Sequence, residues 1–347
     1  MKQSPIYIVM YILSLLVACD TVHEFPEGPV KPVIVPFTLL LKFDTVMPLY
    51  KTVYYNTKAA TVADDYDVRY IINAYRSDNG TDFDREVDAQ FIITKDSLNQ
   101  LDHTVHLDLE EGYYKFMVWT DYIYAGGKSD TYYTTTDFSE VILKEKDVHY
   151  GSNDFRDAYR GSRTSLAAAI TTNTVGITNE DTVYMKRPMA KFKFISTDLN
   201  EFVTRVLQLD AEKGHVQEET KTINPDDYNV IFRYTGFMPC SFNLYTDKPA
   251  DAWSNIFFES KITLLDEHEA ELGFDYVFVT GEIEASVSVA VEVYNKEGEQ
   301  MAGIYPIDVP LKQGELTIVR GAFLTSKATG GIGIDPSFEG DFNFIIP

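Results

Sequence analysis

Histidines, cysteines and carboxylates are the side chains in this sequence that could do catalytic or metal chemistry. Of the six histidines, His103 and His106 are the closest pair, and on a strand their odd spacing would turn them to opposite faces. The run His268–Leu272 begins like a zinc-binding HExxH helix, but a leucine stands where the second histidine is required. There is neither a nucleophile elbow nor a Walker-type phosphate loop. The sequence therefore predicts no catalytic residue, no metal site and no cofactor, which indicates a protein that is not an enzyme.

Cys19 is the one residue whose surroundings predict a covalent modification. A single early charge at Lys2 is followed by the apolar run Ile6–Val17 and by the small residue Ala18. This is the pattern of a secretory signal, and the run is too short for a comfortable membrane-spanning helix. A cysteine directly after the small residue resembles the bacterial lipobox, which implies cleavage before Cys19 and a lipid thioether on its sulfur. We predict a lipoprotein signal peptide at 1–18, with an ordinary signal peptide as the alternative.

The charge balance narrows the class of partner. The formal net charge is −23, so the surface repels the phosphate backbone, and nucleic acid is excluded as a partner. The same charge argues against polybasic docking on anionic lipid, which leaves the lipid on Cys19 as the predicted attachment to a membrane. If Cys19 carries a lipid, Cys240 is the only other cysteine and no internal disulfide can form. Its apolar neighbours predict that Cys240 is buried.

Prolines and hydrophobic periodicity divide the rest of the chain. Residues 19–36 contain four prolines and read as an extended tether. Beyond them, apolar residues alternate in runs such as Val105–Leu109 and Val287–Val293, which indicates half-buried antiparallel strands of a sandwich. We predict an N-terminal β-sandwich domain over 37–182, including a connection, and a C-terminal β-sandwich domain over 183–347.

One short helix is predicted in the second domain. Asp198 and Glu201 resemble a capping box. The apolar residues that follow fall on one face at helical spacing and are predicted to pack on a sheet: Leu199, Phe202, Val203, Val206 and Leu207.

Two further segments are candidate interaction sites. Trp119, Tyr122 and Tyr124 stand close together before Gly126-Gly127, and an exposed group of aromatic rings there could bind a glycan or a protein partner. The alternative is that these rings cap a sandwich edge or pack between domains. The C-terminal tail places Phe342, Phe344 and Ile346 on one face at period two, which predicts a strand. Such a strand could close its own sheet or pair with the sheet edge of a neighbour.

Several stretches together resemble Bacteroidales fimbrial subunits and fimbrillin-like lipoproteins. Arg187–Phe194 is similar to the first strand of their second domain, Leu311–Gly321 to their late strands, and Gly330–Asp341 to their C-terminal tail. With the lipobox and the tether, the resemblance covers most of the chain. It implies two transthyretin-like β-sandwich domains, a lipid anchor, and a place as stalk, tip or anchor subunit on the outer membrane, with C-terminal strands that take part in subunit joining.

The sequence departs from the stalk members of that group in its tether. Stalk subunits are cut there by a trypsin-like protease, which frees a groove for a strand of the partner. Here the tether holds no arginine, and its only lysine, Lys31, precedes Pro32 and resists such cleavage. The sequence therefore favours a lipid-anchored fimbrial anchor or accessory subunit of the outer membrane, with other fimbrial subunits or surface proteins as partners. The alternative is a glycan-binding surface lipoprotein of a polysaccharide-uptake system.

Overall fold

The computed structural model describes residues 32–43, 66–83, 86–96, 101–144, 149–170, 179–212, 223–281, 283, 285–326 and 342–344. These residues are mostly strand, with one α-helix, α1 (Leu199–Glu212), and two 3₁₀ turns, Asp154–Arg156 and Pro225–Asp227. In chain order the strands are β1 (Ile34–Phe43), β2 (Tyr66–Ser77), β3 (Ala89–Lys95), β4 (His103–Glu110), β5 (Gly112–Tyr124), β6 (Tyr133–Thr134), β7 (Val141–Leu143), β8 (Tyr159–Ile170), β9 (Glu180–Met185), β10 (Met189–Ser196), β11 (Tyr228–Tyr234), β12 (Met238–Pro239), β13 (Ser241–Asn243), β14 (Lys248–Pro249), β15 (Ala252–Trp253), β16 (Phe257–Ser260), β17 (Thr263–Leu264), β18 (Ala270–Phe278), β19 (Ala285–Asn295), β20 (Gln300–Leu311), β21 (Leu316–Gly321) and β22 (Phe342–Phe344).

The first half of the chain forms a sandwich of two sheets with strand orders β4-β1-β9 and β3-β2-β5-β8. Alternate residues of β1 and β4 point into the space between the sheets, as their alternation predicted, because each strand has one face toward solvent. The core that they close includes Phe37, Leu39, Ile72, Leu107, Phe116, Val118 and Val183.

The second half forms another sandwich, with strand orders β17-β18-β10-β21-β22 and β16-β11-β19-β20. Its core includes Phe192, Phe194, Phe232, Phe258, Leu272, Val289 and Val291. Helix α1 buries Leu199, Phe202 and Val203 against this core, which confirms the predicted apolar stripe. The carboxylate of Asp198 does not make the predicted capping box. It accepts hydrogen bonds from the backbone N–H groups of Leu324 and Thr325 instead, at 3.2 and 2.7 Å.

The two sandwiches share one strand topology, although the sequence shows no close repeat. Strands β1, β2, β3, β4, β5, β8 and β9 correspond in that order to β10, β11, β16, β18, β19, β20 and β21. The sheets are antiparallel except at one place in each sandwich, where the first strand runs parallel to the last: β1 beside β9 and β10 beside β21. The predicted fold, two tandem transthyretin-like β-sandwiches with one short helix in the second, is confirmed, with this parallel pair as an addition.

Two predicted boundaries shift in the structure. Strand β1 begins at Ile34, so the last residues assigned to the tether, up to Pro36, belong to the first sheet. Pro36 is tolerated because pairing with β9 starts only at Thr38, so no ladder bond is needed on that side. The boundary placed between residues 182 and 183 falls inside β9. All of β9 lies beside β1, and Val183 and Met185 are buried in the first core.

A small sheet of order β14-β13-β7-β6 joins the two sandwiches. Strands β6 and β7 come from the first half of the chain and β13 and β14 from the second, and Leu143 N–H donates to Cys240 O at 2.7 Å. Beneath this sheet the outer face of β5 is covered as well, since Trp119 meets Tyr133 edge to face with ring centroids 5.4 Å apart. Cys240 is buried, as predicted.

Gly161 on β8 lies in close contact with β9 of the other sheet of the first sandwich. A Cβ at this position would lie 2.6 Å from Val183 Cγ1 and 2.9 Å from the carbonyl oxygen of Tyr184. Gly161→Val should therefore lower the free energy of unfolding by about 1–3 kcal/mol through overpacking, measured by urea denaturation. Gly236→Ala is the control, because a Cβ there meets nothing within 4 Å, and it should change stability by less than about 0.5 kcal/mol. Equal effects would contradict this account of the close approach.

Candidate functional site

The C-terminal tail lies at the edge of the second sandwich. Strand β22 pairs antiparallel with β21 over three residues, Phe342 with Val319, Asn343 with Ile318 and Phe344 with Thr317. The predicted strand is present at these residues and is paired in its own sheet, while Ile346 lies outside the described residues. Since β21 is bonded to β10 on its other side, β22 is the outermost strand. Its role as a donor to a neighbouring subunit stays a prediction.

Among the described residues, the first sandwich has no strand at the equivalent position. Its sheet β4-β1-β9 ends at β9, where the second sandwich continues from β21 to β22. Strand β8 makes polar contacts with β9 at two places: Lys186 and Arg160 exchange backbone hydrogen bonds of 2.8 and 2.9 Å after the C-terminal end of β9, and the side chain of Arg163 pairs with Asp181 at 2.8 Å. Tyr184 on β9 is 69% exposed. Within the described ranges, β9 therefore presents a sheet edge with the geometry that strand addition requires.

The aromatic patch predicted from the sequence does not form an exposed surface. Trp119 is fully buried and Tyr122 is 6% exposed, so neither ring can stack on a ligand from solvent. Trp119 faces the junction, and Tyr122 meets Phe155 edge to face at 5.7 Å. Tyr124 alone of the three is exposed, at 61%. The prediction is wrong for Trp119 and Tyr122 because they lie on a strand that is covered on both faces.

Tyr124 belongs to a different group of rings, which sequence reasoning missed. It stacks on Tyr66 at 5.4 Å, and Tyr66 stacks in turn on Phe155 at 3.9 Å. The hydroxyls of Tyr66 and Tyr132 are 2.7 Å apart. Burial, together with this hydrogen bond, raises the pKa of Tyr66 above its usual range, so its hydroxyl stays neutral. The contacts join residues far apart in the chain, and no spacing in the sequence signals them.

A buried ion pair positions the loop that follows Tyr124. The Arg69 guanidinium donates to both carboxylate oxygens of Asp121, at 2.9 and 2.6 Å, and to Asp130 at 2.8 Å. Asp130 lies within the loop between β5 and β6, and it also accepts from the hydroxyl of Thr135 at 2.8 Å. Because planar bidentate pairs are directional, the loop is held in one place on the sheet.

The nearest approach to a catalytic arrangement is a closed cluster around Asp275. His149 Nε2 lies 2.5 Å from Asp275 Oδ2, the Tyr234 hydroxyl donates to the same oxygen at 2.7 Å, and Arg156 pairs with the other oxygen. Burial alone would raise the pKa of Asp275, but the charge of Arg156, helped by His149 and Tyr234, outweighs it and lowers the pKa to about 2. Burial, with Arg156, lowers the pKa of His149, which favours the neutral ring.

This cluster lacks what a catalytic site needs. The side chains of His149, Arg156 and Asp275 are each at most 4% exposed, so no substrate reaches them. The residues come from the segment before β8 and from β11 and β18, which makes the cluster a cross-link between the two halves of the chain. In the part of the chain that the structure describes, no group of three or more His, Cys, Asp or Glu residues could hold a metal ion.

The remaining predicted site, Cys19, lies outside the described residues, and its lipidation stays a prediction. No helix in the described segments is both long and apolar enough to cross a membrane.

This geometry defines the class of protein: two β-sandwiches in tandem, with a C-terminal strand at the edge of the second. The chain belongs to the family of unknown function DUF6562, which matches residues 34–347. No curated protein matches it.

Solved structures similar to this chain include proteins from Bacteroides and Porphyromonas. A candidate adhesin from Bacteroides thetaiotaomicron is 14% identical, covers 84% of this chain and 93% of its own, and has a TM-score of 0.42. A fimbrial anchor protein from Porphyromonas gingivalis is 10% identical over 82% and 90%, with a TM-score of 0.37. A C-terminally truncated tip fimbrial protein from the same organism is 10% identical over 83% and 94%, with a TM-score of 0.38. The chain thus resembles Bacteroidales fimbrial and adhesin proteins in structure as it does in its sequence motifs.

The Asp275 cluster gives a stability prediction. Asp275→Asn leaves Arg156 in the interior without its counter-charge and should lower the free energy of unfolding by about 3–5 kcal/mol, measured by chemical denaturation. Glu292→Gln is the control, because it breaks a partly exposed pair with Arg233 and should cost less than about 1 kcal/mol. A cost for Asp275→Asn as small as that of the control would show that the cluster does not cross-link the two halves.

Proposed function

We propose that this protein is a lipid-anchored structural subunit of the outer-membrane surface, of the fimbrial or adhesin type, and an anchor or accessory subunit rather than a polymerising stalk. The observation that carries the proposal is a pair of sheet edges, one in each sandwich. Among the described residues, strand β22 pairs with β21 at three positions in the second sandwich, and the equivalent position beside β9 in the first sandwich has no described strand. A strand at the sheet edge and an edge that can accept a strand are the two components of joining by strand addition.

The proposed lipid anchor is supported by the sequence. Cys19 stands at the lipobox-like position, and β1 begins fifteen residues later at Ile34. A net charge of −23 makes electrostatic binding to anionic lipid unfavourable. A lipid on Cys19 is therefore the means of attachment that suits this chain, and it would place the first sandwich toward the membrane.

The choice of anchor or accessory over stalk is supported by the position of β1. Loss of the first strand by proteolysis would have to remove a strand that lies in the middle of its sheet, between β4 and β9. Val35, Phe37, Leu39 and Leu41 of this strand are each at most 3% exposed. Removal would open the core along its whole length, and Lys31-Pro32 offers no efficient trypsin-like site before it.

The alternative of a glycan-binding surface lipoprotein has less support. Two of the three rings on which it was based are buried. What remains is the exposed ring of Tyr124, held in place by its stacking on Tyr66, and an exposed aromatic ring of this kind can bind a sugar ring. This stack could serve adhesion as well as uptake, so it does not favour the alternative over the proposal.

The first test concerns the anchor. Cys19→Ala should leave the precursor unprocessed by the lipoprotein peptidase or release a soluble product, because no other segment is expected to hold so acidic a chain on a membrane. The measurement is fractionation of native cells with labelling by a fatty-acid analogue, and Cys240→Ala is the matched control, since that cysteine is buried. A Cys19→Ala protein that is processed normally and stays in the membrane fraction would refute lipid anchoring.

The second test concerns the tail. Deletion of residues 340–347 should abolish the crosslinks that the wild-type protein forms to surface partners in native membranes, while the unfolding temperature falls only slightly, because β22 has three paired residues. Asn343→Ser is the control, because the residue alternates with Phe342 and Phe344 and leaves their face intact. Unchanged partners after deletion would show that the tail is not a donor.

A further inference from the structure

The first and last strands of each sandwich are parallel neighbours, and the number of paired residues is the same in both. Six residue pairs join β1 to β9, from Thr38 with Glu180 to Phe43 with Met185. Six pairs join β10 to β21, from Lys191 with Leu316 to Ser196 with Gly321. The chain therefore enters and leaves each sandwich through two strands that are hydrogen-bonded to each other.

This arrangement determines how a pull on the chain reaches the sheets. In a parallel pair the N-terminal ends lie together. A pull at the N-terminal end of β1 and at the C-terminal end of β9 therefore acts along the ladder in opposite directions. All six pairs share such a load at once, whereas a pull on adjacent strand ends breaks pairs one at a time.

We propose that the protein bears tensile load, with the parallel pairs β1–β9 and β10–β21 acting as two shear clamps in series. In the cell this role rests on the proposed function, in which one end is held by a lipid and the other is joined to a partner. The clamps themselves are a property of the fold and can be measured without either attachment.

The connection between the clamps is fixed to the first sandwich. Three residues, 186–188, lead from β9 to β10. Arg187 in this connection donates to both carboxylate oxygens of Asp157, at 2.9 and 3.0 Å, and both side chains are nearly buried. Lys186 is held by its two backbone bonds to Arg160. A tensile load is therefore transmitted from the first clamp to the second without prior extension of the connecting residues.

The second clamp is reinforced by burial. All eight residues of β10 are buried, including two lysines that are paired with carboxylates, Lys191 with Asp154 at 2.6 Å and Lys193 with Glu271 at 2.7 Å. Sliding of β10 along β21 would separate the two buried lysines from these carboxylates, and a buried charge without a partner is costly. Strand β22, by contrast, runs antiparallel to β21 with three pairs, so a pull on the C-terminus peels it away before the load reaches the clamp.

Single-molecule force spectroscopy with two pulling directions tests the proposal in one protein. In a full chain carrying Cys19→Ser, handles at Val33→Cys and Ala322→Cys load both clamps in shear. Handles at Val33→Cys and Glu111→Cys instead peel β1 from its neighbours, because Ile34 pairs with Glu110 at the same end of the antiparallel ladder. The peeling force should be several-fold lower, up to about sixfold, since one pair rather than six carries the load. Cys240 is buried and does not compete for the handles.

A matched pair of proline variants tests whether the clamp bonds carry the force. Thr38 N–H donates to Asn179 O at 2.8 Å, and N–H groups alternate in direction along a strand, so the N–H of Asp181 points to β1 and that of Tyr184 points away. Asp181→Pro should lower the shear force by up to about a sixth, the share of one pair among the six that join β1 to β9, because the pairs between β1 and β4 also hold β1. Tyr184→Pro should leave it unchanged, and Asp181→Asn corrects for the lost ion pair with Arg163.

The measured rupture forces either support the shear clamps or refute them. Rupture forces that are equal in the two pulling directions, or lower in shear, overturn it, and so does an equal effect of the two prolines. If either proline variant fails to fold, which circular dichroism shows, the comparison of pulling directions in the variant without proline still decides. A clamp that withstands shear while Cys19→Ala stays membrane-bound would refute the lipid anchor and leave the clamps standing.

Discussion

Strand β5 is buried on both of its faces, and the joining of the two sandwiches depends on that. Phe116 and Val118 point into the first core, while Met117 and Trp119 belong to the core that continues into the second half of the chain. An apolar face of this size must be covered, and β6, β7 and β13 cover it with residues from both halves. Apolar residues of both halves meet in this one core, which holds the halves together. The small joining sheet, the buried Asp275 cluster and the short 186–188 connection all follow from this shared surface.

The buried cations have a role of their own in so acidic a chain. Five lysine or arginine residues lie in the interior, and each has a carboxylate partner: Arg69 with Asp121, Arg156 with Asp275, Arg187 with Asp157, Lys191 with Asp154 and Lys193 with Glu271. Several of these pairs join segments distant in sequence, so they specify which strands meet. Since the interior pairs neutralise each other, the excess negative charge remains at the surface, where it opposes non-specific association.

The sequence predicts the strands best where one face of the strand is exposed to solvent. Strands β4 and β19 alternate cleanly because their outer residues meet solvent. Strands β2, β5 and β10 are covered on both sides, so their apolar residues do not alternate, and the direction of each ring cannot be read from spacing. For this reason the sequence left open whether Trp119 and Tyr122 are exposed or packed between the two halves, and the structure shows that they are buried. The pairing of Tyr66 with Phe155 and the burial of Arg156 depend on contacts between distant segments, which no local pattern records. The boundary after residue 182 was misplaced because the apolar residues of β9 serve the first core.

The shared topology of the two sandwiches has a consequence for how such molecules could grow. In the last sandwich the chain returns as β22 to cover β21, but in the first it runs straight on into β10. In the part of the chain that the structure describes, the unit that is followed by another unit therefore has no strand that covers its own last strand. In a chain of several such units, every unit except the final one would therefore have a last strand whose outer edge is uncovered. Duplication of a sandwich would thus add a sheet edge at which another chain can attach, but it would not add a second C-terminal strand.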